Sequence, residues 1–419
     1  MHLNAVLAGA TLRLGWVATA LLLPAAVAMA APPRFSGEVG ASVWSSDRRL
    51  NDDKGIAVGR AKLAGEWAPS DLFSLRVEGT VMSAPERLDG DRTSTRLKEL
   101  FVESRSLPCL PSLGKRFVSW GKTDALNPTD QLSPTNHRRL AAKDTEQRQG
   151  VWGLHLNCTA GPGRLQAHLL DRFRFNDVPL SRRARVEFKE DKPRLRPSAA
   201  LRYETMGEAA DWAVSFIDGH DLHPTLTLRS MSAQGLLIGL DATRMRMVGG
   251  DIAITHGSMV YRAEAAWVQY PNLVAGLHAQ RRPYASAVVQ AERGLGDRET
   301  IAIQAFAKHL RGQVEVTGHP VVDGLQIAQG LLSNELDRRQ YGLTLRYARP
   351  LWESRADMDI FVVYTRPRGD WMVRGRLNHA LSDSLRLSTG IDLFRGPVDS
   401  YLGNLRANSL AFVELSTAW

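Results

Sequence analysis

From residue 34 onward, the chain repeats runs of about ten residues in which apolar and polar side chains alternate. In the run from 385 to 395, Leu387 and Ile391 share one face, and Arg386 and Asp392 share the other. Successive side chains of a strand point to opposite faces of a sheet, so this period of two predicts β-strands. Turn-forming Gly, Pro, Asp and Asn residues separate the runs.

We count about eighteen such runs, and the connections between them alternate between short and long. Short turns on one rim and long loops on the other predict an all-β fold, a transmembrane antiparallel β-barrel with long extracellular loops and short periplasmic turns. The connection at 366–370 is short where this scheme requires a long one, so the count could be off by a hairpin there. The predicted strands lie near 35–44, 57–67, 73–82, 95–105, 113–120, 150–158, 164–172, 196–204, 211–218, 246–255, 259–269, 284–292, 299–308, 338–348, 355–365, 370–380, 385–395 and 406–419.

The N-terminal residues have the features of a secretory signal. A weakly basic start is followed by an apolar stretch over 14–28, and Ala28-Met29-Ala30 forms a small-x-small cleavage site. The rival interpretation is an anchor helix, but the apolar stretch is short for a span of about 20 residues. We therefore predict a cleaved signal peptide at 1–30 and one barrel domain at 31–419 of the 419-residue chain.

The last run ends on an aromatic residue. Val413 and Leu415 share one face of this run, and the chain ends at Trp419. A terminal aromatic closing an amphipathic strand resembles the signal that barrel-insertion machinery reads in Gram-negative outer-membrane proteins. We expect that machinery, outer-membrane lipid and lipopolysaccharide as partners, and the outer membrane as the location.

Composition narrows the classes further. Mean hydropathy is −0.22, and no apolar run beyond the predicted signal is long enough for a spanning helix. The formal charge of +9 often indicates a nucleic-acid partner. Here the arginines are spread along predicted strands, often beside acids, and an exported chain does not normally meet nucleic acid. We therefore exclude nucleic acid as a partner.

Cys109 and Cys158 are the only two cysteines. Both fall at predicted periplasmic turns, in a compartment that allows disulfides. The predicted strands 113–120 and 150–158 separate them by two strand spacings, about 10 Å. A disulfide needs Cα atoms within about 7 Å, a gap that flexible turns could close. A disulfide and two free buried thiols both remain open.

The polar faces of the predicted strands carry many charges. A charge on the lipid face costs about 2–4 kcal/mol at the bilayer midplane, so these faces must line the lumen. The lining can be a hydrated wall of paired acids and bases, a pore surface that favours anions, or both. The predicted lumen-lining residues are Arg60, Arg76, Glu78, Arg202, Glu204, Arg262, Glu264, Arg346, Arg374, Arg376 and Arg386.

The longest polar interruption in the first half of the chain is the segment 121–149. It contains Asn127-Pro128 and Ser133-Pro134, which start turns, and Asp and Asn residues able to bond nearby amides. We predict an ordered loop that folds into the lumen and restricts it; the alternative is an extracellular loop with no role in passage. The candidate constriction residues are Trp120, Lys122, Asp124, Asn127, Asp130, His137, Arg138 and Arg139.

Metal and catalytic motifs are weak or absent. Asp124, Asn127 and Asp130 could supply oxygen ligands for calcium, but their spacing is not diagnostic. The run D-G-H-D-L-H at 218–223 is more often a polar loop than a metal site. The sequence has no G-x-S-x-G, H-E-x-x-H or Gly-rich phosphate loop. We predict no metal, no cofactor and no catalytic residue, with an outer-membrane hydrolase as a third interpretation.

One segment resembles a known family. Residues 114–134, GKRFVSWGKTDALNPTDQLSP, are similar to the W-G-x-x-D-x-x-N-P-x-D segment of a porin-related family of Gram-negative outer-membrane β-barrels catalogued as a domain of unknown function. The matching positions are Gly114, Arg116, Trp120, Gly121, Asp124, Asn127, Pro128 and Asp130. A second feature covers 247–251 and 261–266. The resemblance implies an outer-membrane barrel, and some relatives are thought to work beside inner-membrane exporters, which makes an exporter an implied partner.

Together these observations predict a porin-like channel or export component that passes a small solute through a charged lumen. Transport of this kind needs a lined and restricted path rather than a catalytic group. The alternative is a non-conducting receptor or assembly barrel that binds a partner through its loops.

Overall fold

The computed structural model describes residues 32–46, 55–83, 93–105, 108–178, 186–190, 196–271, 281–296, 298–312 and 317–419. The predicted signal peptide at 1–30 lies outside the described residues. Within the described ranges, no helix is long and apolar enough to cross a membrane.

The described chain is built mainly from strands. In chain order they are β1 (Arg34–Ser46), β2 (Gly55–Ser70), β3 (Phe73–Ser83), β4 (Thr93–Ser104), β5 (Cys109–Arg116), β6 (Val151–Ala160), β7 (Gly163–Arg172), β8 (Val186–Glu190), β9 (Ser198–Met206), β10 (Asp211–His220), β11 (Thr225–Ser232), β12 (Gly235–Asp241), β13 (Arg244–His256), β14 (Met259–Gln269), β15 (Tyr284–Gly294), β16 (Thr300–Leu310), β17 (Arg339–Leu351), β18 (Ala356–Arg366), β19 (Trp371–Ala380), β20 (Leu385–Arg395) and β21 (Leu410–Ala418). Two helices, α1 (Pro320–Ser333) and α2 (Tyr401–Asn404), lie in connections.

All strands except β8, β11 and β12 form one eighteen-stranded sheet. Each pairs antiparallel with its neighbour, and β21 pairs back onto β1, which closes the barrel. At the seam, Gly37 and Trp419 exchange two backbone hydrogen bonds of 3.1 Å. A Cβ at Gly37 would lie 2.2 Å from the Trp419 ring, so the close approach requires glycine. The predicted eighteen-stranded antiparallel barrel is confirmed.

The two faces of the barrel wall separate as the alternation predicts. Val248, Trp267 and Val289 point outward and are each more than half exposed, as lipid-facing side chains must be. Their neighbours Met247 and Val288 point inward and are buried. Each strand of the wall pairs with a neighbour on both sides, and a closed sheet of this kind can satisfy its backbone groups within a bilayer.

The two rims differ in length of connection. Turns such as 161–162 and 257–258 are two residues long, and Gly161 and Gly257 adopt a φ of +57° there. The opposite rim carries α1, α2 and the small sheet of β8, β11 and β12, none of which the alternation predicted. The connection at 367–370 is short although it lies on this long-loop rim. It joins β18 directly to β19, so no hairpin is missing from the strand count there.

One predicted strand lies elsewhere than expected. β5 ends at Arg116, whereas the alternation placed a strand over 113–120. Side-chain acceptors take the next amides: Glu99 accepts from Phe117 N at 2.8 Å, and Ser133 from Val118 N at 3.0 Å. With those amides occupied, the chain leaves the sheet.

The shift of β5 also changes the geometry of the cysteines. Cys109 is the first residue of β5 and lies directly opposite Cys158 of β6. The expected separation of two strand spacings is therefore wrong, because the two residues are on adjacent strands with Cα atoms 3.9 Å apart. The structure joins them by a disulfide.

The orientation of the wall leads to a depth-dependent prediction. Val289→Arg, in the middle of β15, should lower the free energy of unfolding by about 2–4 kcal/mol because it places a charge at the bilayer midplane. Phe73→Arg, at the first residue of β3 on the outward face, should cost only about 0–1 kcal/mol near the interface. Urea unfolding in lipid vesicles measures both. Equal losses at the two positions would show that Val289 does not face the hydrocarbon core.

Candidate functional site

The segment from 117 to 150, here called the inner loop, joins β5 to β6 and contacts side chains that project into the lumen. It contains no long regular element; its one 3₁₀ turn covers Asp144–Glu146. Its shape is set by hydrogen bonds to the barrel wall, which fall into two groups at opposite sides of the barrel.

The first group centres on Glu264 of β14, a carboxylate that is only 3% exposed. One of its oxygens accepts from Thr129 N at 2.7 Å and from the Thr129 hydroxyl at 2.8 Å. The other accepts from Lys122 N and from the Thr123 hydroxyl, both at 3.2 Å. Four donors of the inner loop therefore surround one wall carboxylate. Hydrogen bonds to a charged group are worth about 1.5–3 kcal/mol each in net stability, more than neutral ones.

Glycine is required where the inner loop passes this carboxylate. Gly121 has a φ of +94°, a conformation that L side chains rarely adopt. A Cβ at this position would lie 2.6 Å from Glu264 Oε2. Both the backbone conformation and the close approach exclude a side chain at this turn.

A second wall contact lies one strand further along the sheet. Gln290 of β15 accepts from Asp124 N at 3.1 Å and donates to the Asp124 carboxylate at 2.8 Å. Gln304 donates to Gln290 at 2.9 Å and accepts from Thr344 at 3.0 Å, so the amide chain runs from β15 to β17. Asp124 is thereby held by a polar relay across three strands.

An apolar cluster seals the space between the inner loop and β6–β14. Trp120 is 2% exposed, its indole N–H donates to Gln166 Oε1 at 3.0 Å, and its ring tilts against His168 at 5.7 Å. Val118 and Leu132 of the inner loop join it. The wall side of the cluster comprises Val151, Leu170, Ala200, Ile217, Met245, Met247, Ala266, Val268 and Tyr270.

Asp130 links the two ends of the inner loop, where Trp120 and Arg148 lie. Its carboxylate accepts from Trp120 N at 3.3 Å and pairs with Arg148. Burial raises the pKa of Asp130 above its ordinary value, and the Arg148 guanidinium opposes that rise only in part. Asn127 Oδ1 lies 2.7 Å from the Thr123 hydroxyl. Asp124, Asn127 and Asp130 thus have separate partners rather than converging on one cation position.

The second group of contacts lies across the barrel. Glu146 of the inner loop pairs with Arg60 of β2, and Asp144 pairs with Arg374 of β19. Arg60 also pairs with Glu38 at 2.7 Å and with Glu414 at 2.8 Å. β2 and β14 are nine strands apart in either direction around the eighteen-stranded sheet. The inner loop is therefore bonded to diametrically opposite walls and crosses the lumen.

Cationic side chains line the wall beside this crossing. Arg374 and Arg376 share Asp392 at 3.0 and 2.8 Å. Arg346 pairs with Asp359 at 2.7 Å and lies 3.9 Å from Asp124 of the inner loop. The Arg346 side chain is 46% exposed, so its charge faces solvent within the lumen.

A cavity of about 810 Å³, here called the vestibule, opens above these arginines. Its lower lining includes Arg374, Arg376 and Asp144, together with His137 and Arg139 of the inner loop. Its upper side is apolar, because Leu325 of α1 packs with Leu226 of β11 and Ile238 of β12.

A buried ion-pair cluster fixes the long loops around the vestibule. Arg281 pairs with Asp221 at 2.5 Å and with Glu335 at 3.0 Å, and Tyr270 donates to Asp221 at 2.6 Å. Burial raises the pKa of Asp221, but the Arg281 guanidinium together with the contacts from His223 and Tyr270 outweighs that effect, and the net shift is downward. Three separate loops thus share one buried charge centre.

The predicted lumen residues occupy inward-facing positions of their strands, and several of them pair with residues on other strands. The i, i+2 neighbours Arg202 and Glu204 lie 3.5 Å apart, while Arg202 pairs more closely with Asp251 at 2.6 Å. Arg262 pairs with Glu292 at 2.7 Å, which leaves Glu264 to the inner loop. Among the other predicted lumen residues, Arg76 lies 3.1 Å from Glu99 and 3.7 Å from Glu78, and Arg386 is exposed in β20. Arg138, a predicted constriction residue, donates its backbone N–H to Asn136 within the inner loop.

Sequence reasoning missed the uncharged wall residues Gln166 and Gln290 and the acids Asp251, Glu292 and Asp392. All five occupy inward-facing positions of alternating runs. Their place in the alternation, rather than their charge, is the signal that could have identified them. Among the described residues, no group of three His, Cys, Asp or Glu is arranged to hold a metal ion.

The hydrogen bonds from the inner loop to Glu264, here called the clasp, predict how stable the loop is locally. Glu264→Gln replaces an acceptor by an N–H₂ group that faces the donors of Lys122 and Thr129. Hydrogen exchange of the amides in 120–130 should then become at least about tenfold faster, which corresponds to about 1.4 kcal/mol of lost local stability.

Glu103→Gln is the matched control, because Glu103 pairs with Arg116 of β5 and not with the inner loop. Exchange measured by mass spectrometry in detergent should not change over 120–130 in that variant. If Glu264→Gln leaves exchange there unchanged, the clasp does not hold the loop.

Comparison with known proteins gives structural relatives but no sequence family. No protein-family model matches the chain, and no curated protein sequence matches it. The resemblance of 114–134 to one barrel family therefore stays an expectation.

Solved structures resemble the chain over nearly its whole length. OccAB1 of Acinetobacter baumannii has a TM-score of 0.58 at 9% identity, over 92% of this chain and 96% of that one. The outer membrane protein opdK of Pseudomonas aeruginosa has a TM-score of 0.57 at 9% identity, over 93% and 99%. OccK5 (OpdH) of Pseudomonas aeruginosa has a TM-score of 0.54 at 11% identity, over 92% and 97%. At this identity the likeness shows the fold, and the chain has the fold of outer-membrane porins.

Proposed function

We propose that this protein is an outer-membrane porin-like channel that passes a small anionic solute, with the inner loop as its constriction. The observation that carries this proposal is that one loop is bonded to diametrically opposite walls, at Glu264 and at Arg60. A loop fixed at both ends of a diameter narrows the lumen to what remains beside it.

The preference for anions follows from the charges left beside the loop. Arg346 comes from β17, and Arg374 and Arg376 come from β19. These two strands flank β18 and line the same side of the crossing. Asp359, Asp392 and Asp144 pair with them, yet the half-exposed Arg346 keeps its charge toward the path. Rings or rows of arginine in a pore favour negative solutes.

The alternative is a non-conducting receptor or assembly barrel. The ordered loops and the vestibule would then serve a partner rather than a solute. Steady single-channel conductance of the refolded chain separates the two functions, since only the channel conducts without a partner.

The arginine lining predicts ion selectivity. In a planar bilayer under a salt gradient, the wild-type channel should show an anion-biased reversal potential. Arg376→Gln should reduce the anion-to-cation permeability ratio at least about tenfold, because a unit charge about 6 Å from the path favours an anion and disfavours a cation by about 0.7–1.4 kcal/mol each at an effective dielectric of about 80–40. Asp392 keeps Arg374 as its partner in this variant.

Arg349→Gln supplies the matched control. Arg349 is exposed at an outward-facing position of β17, so this substitution also removes one positive charge, but from outside the lumen. Its permeability ratio should equal that of the wild type. A cation-selective wild type, or equal effects of the two substitutions, would contradict the proposed lining.

A further inference from the structure

A second, strongly basic space lies behind the inner loop, on the side of β2–β6. This space, here called the basic pocket, is a cavity of about 190 Å³ between the second half of the inner loop and the wall. It adjoins the vestibule, and Arg139 and Gln147 of the inner loop line both cavities. Lys62, Lys98 and Lys115 line the basic pocket, and none of these three lines the vestibule.

The basic pocket carries more positive than negative charge. Among the described residues, seven cationic side chains line it, against two carboxylates, Glu78 and Glu146. The carboxylates in and around it are shared. Glu78 pairs with both Lys62 and Lys98, each at 3.1 Å, and Asp177 lies 3.4 Å from Arg96 and 3.3 Å from Arg174. Glu78 and Asp177 thus each meet two cations, Glu146 pairs with Arg60, and Arg148 pairs with Asp130. Seven cations against these four carboxylates leave a surplus of positive charge, which favours an anion.

Lys115 adds to this surplus. Its ammonium donates to the Leu97 carbonyl oxygen and makes no ion pair with any described residue. An ammonium group carries three donors, and one carbonyl satisfies only one of them. The charge of Lys115 is therefore available to a ligand in the pocket.

Asn136 offers an independent indication of a ligand. This side chain lines the basic pocket and is 1% exposed. Its Oδ1 accepts from Arg138 N at 3.0 Å and Arg139 N at 3.1 Å, which fixes the orientation of the amide. Its Nδ2 then has no acceptor among the described residues. A buried donor without an acceptor is uncommon and points to a group that accepts a hydrogen bond.

Glu146 selects among the anions that could supply this acceptor. One of its oxygens pairs with Arg60, while Oε2 is buried and has no hydrogen-bond donor among the described residues. A fully deprotonated oxyanion such as sulfate would only repel this oxygen. Hydrogen phosphate carries two negative charges and one O–H, so it can accept from the cations and Asn136 and donate to Glu146.

We propose that the basic pocket is a binding site for hydrogen phosphate. The volume suits one tetrahedral oxyanion with a few waters, given about 30 Å³ per water molecule. Lys62, Lys98 and Lys115 contribute from the wall, and Asn136, Glu146 and Arg148 contribute from the inner loop. The bound anion would therefore tie the second half of the inner loop to β2–β5. This site does not depend on whether the barrel conducts.

The test is titration calorimetry of the refolded chain in detergent at pH 8, with inorganic phosphate, sulfate and chloride at matched ionic strength. Phosphate should bind, and sulfate should bind at least about tenfold more weakly, because it lacks a proton for Glu146. Absence of phosphate binding relative to chloride overturns the proposal.

Two near-isosteric variants locate the site. Asn136→Asp keeps the acceptor for the amides of Arg138 and Arg139 but replaces the Nδ2 donor by a charged oxygen, and should weaken phosphate binding at least about tenfold. Glu146→Gln should remove most of the preference for phosphate over sulfate. Asn404→Asp, in the exposed α2 turn, is the control for the added charge and should bind phosphate as the wild type does.

Folding of each variant is checked by its heat-modifiable migration in gels, so that lost binding is not mistaken for lost structure. If Asn136→Asp binds phosphate normally while Arg376→Gln does not, the anion sits in the vestibule and the assignment is wrong. Phosphate binding in a barrel that is silent in bilayers would support this site while contradicting the proposed channel.

Discussion

The arrangement of the lumen depends on one buried carboxylate. Glu264 projects inward from β14, and four donors of the inner loop converge on it. A carboxylate removed from water needs such donors to offset its lost hydration. The same bonds satisfy amides that the irregular loop cannot satisfy by itself. The charge is therefore buried and the loop ordered by the same bonds, and Gly121 is required because the loop backbone passes so close to the carboxylate.

From that anchor the loop divides the lumen by charge. On one side, β17 and β19 present Arg346, Arg374 and Arg376 beside the vestibule. On the other side, the basic pocket lies between the loop and β2–β6. The hydrocarbon surroundings favour this placement, since near the bilayer midplane a charged side chain on the outward face of the wall is costly. We propose that a lumen lined in this way favours anions on both sides of the loop, for passage beside the vestibule and for binding in the basic pocket.

The sequence predicted the barrel well because its strands obey a period of two, and that period also assigns Glu264 and Arg346 to the lumen. It did not predict which groups meet. The bonds between Thr129 and Glu264 join residues 135 positions apart, and no local pattern encodes such a distance. Gln290 was overlooked because the search followed charge. β5 was displaced because Glu99 and Ser133 capture amides that propensity assigned to a strand, and this displacement brought Cys109 opposite Cys158.

The central claim is that the inner loop crosses the lumen and restricts it. The most direct measurement is the single-channel conductance of the refolded chain before and after residues 122–139 are replaced by a short Gly-Ser linker, with folding of the barrel verified in both. The account predicts a steady conductance in the wild type that increases in the shortened variant, because the bonds to Glu264 are removed with the segment. A folded, shortened barrel with the same conductance as the wild type would contradict it.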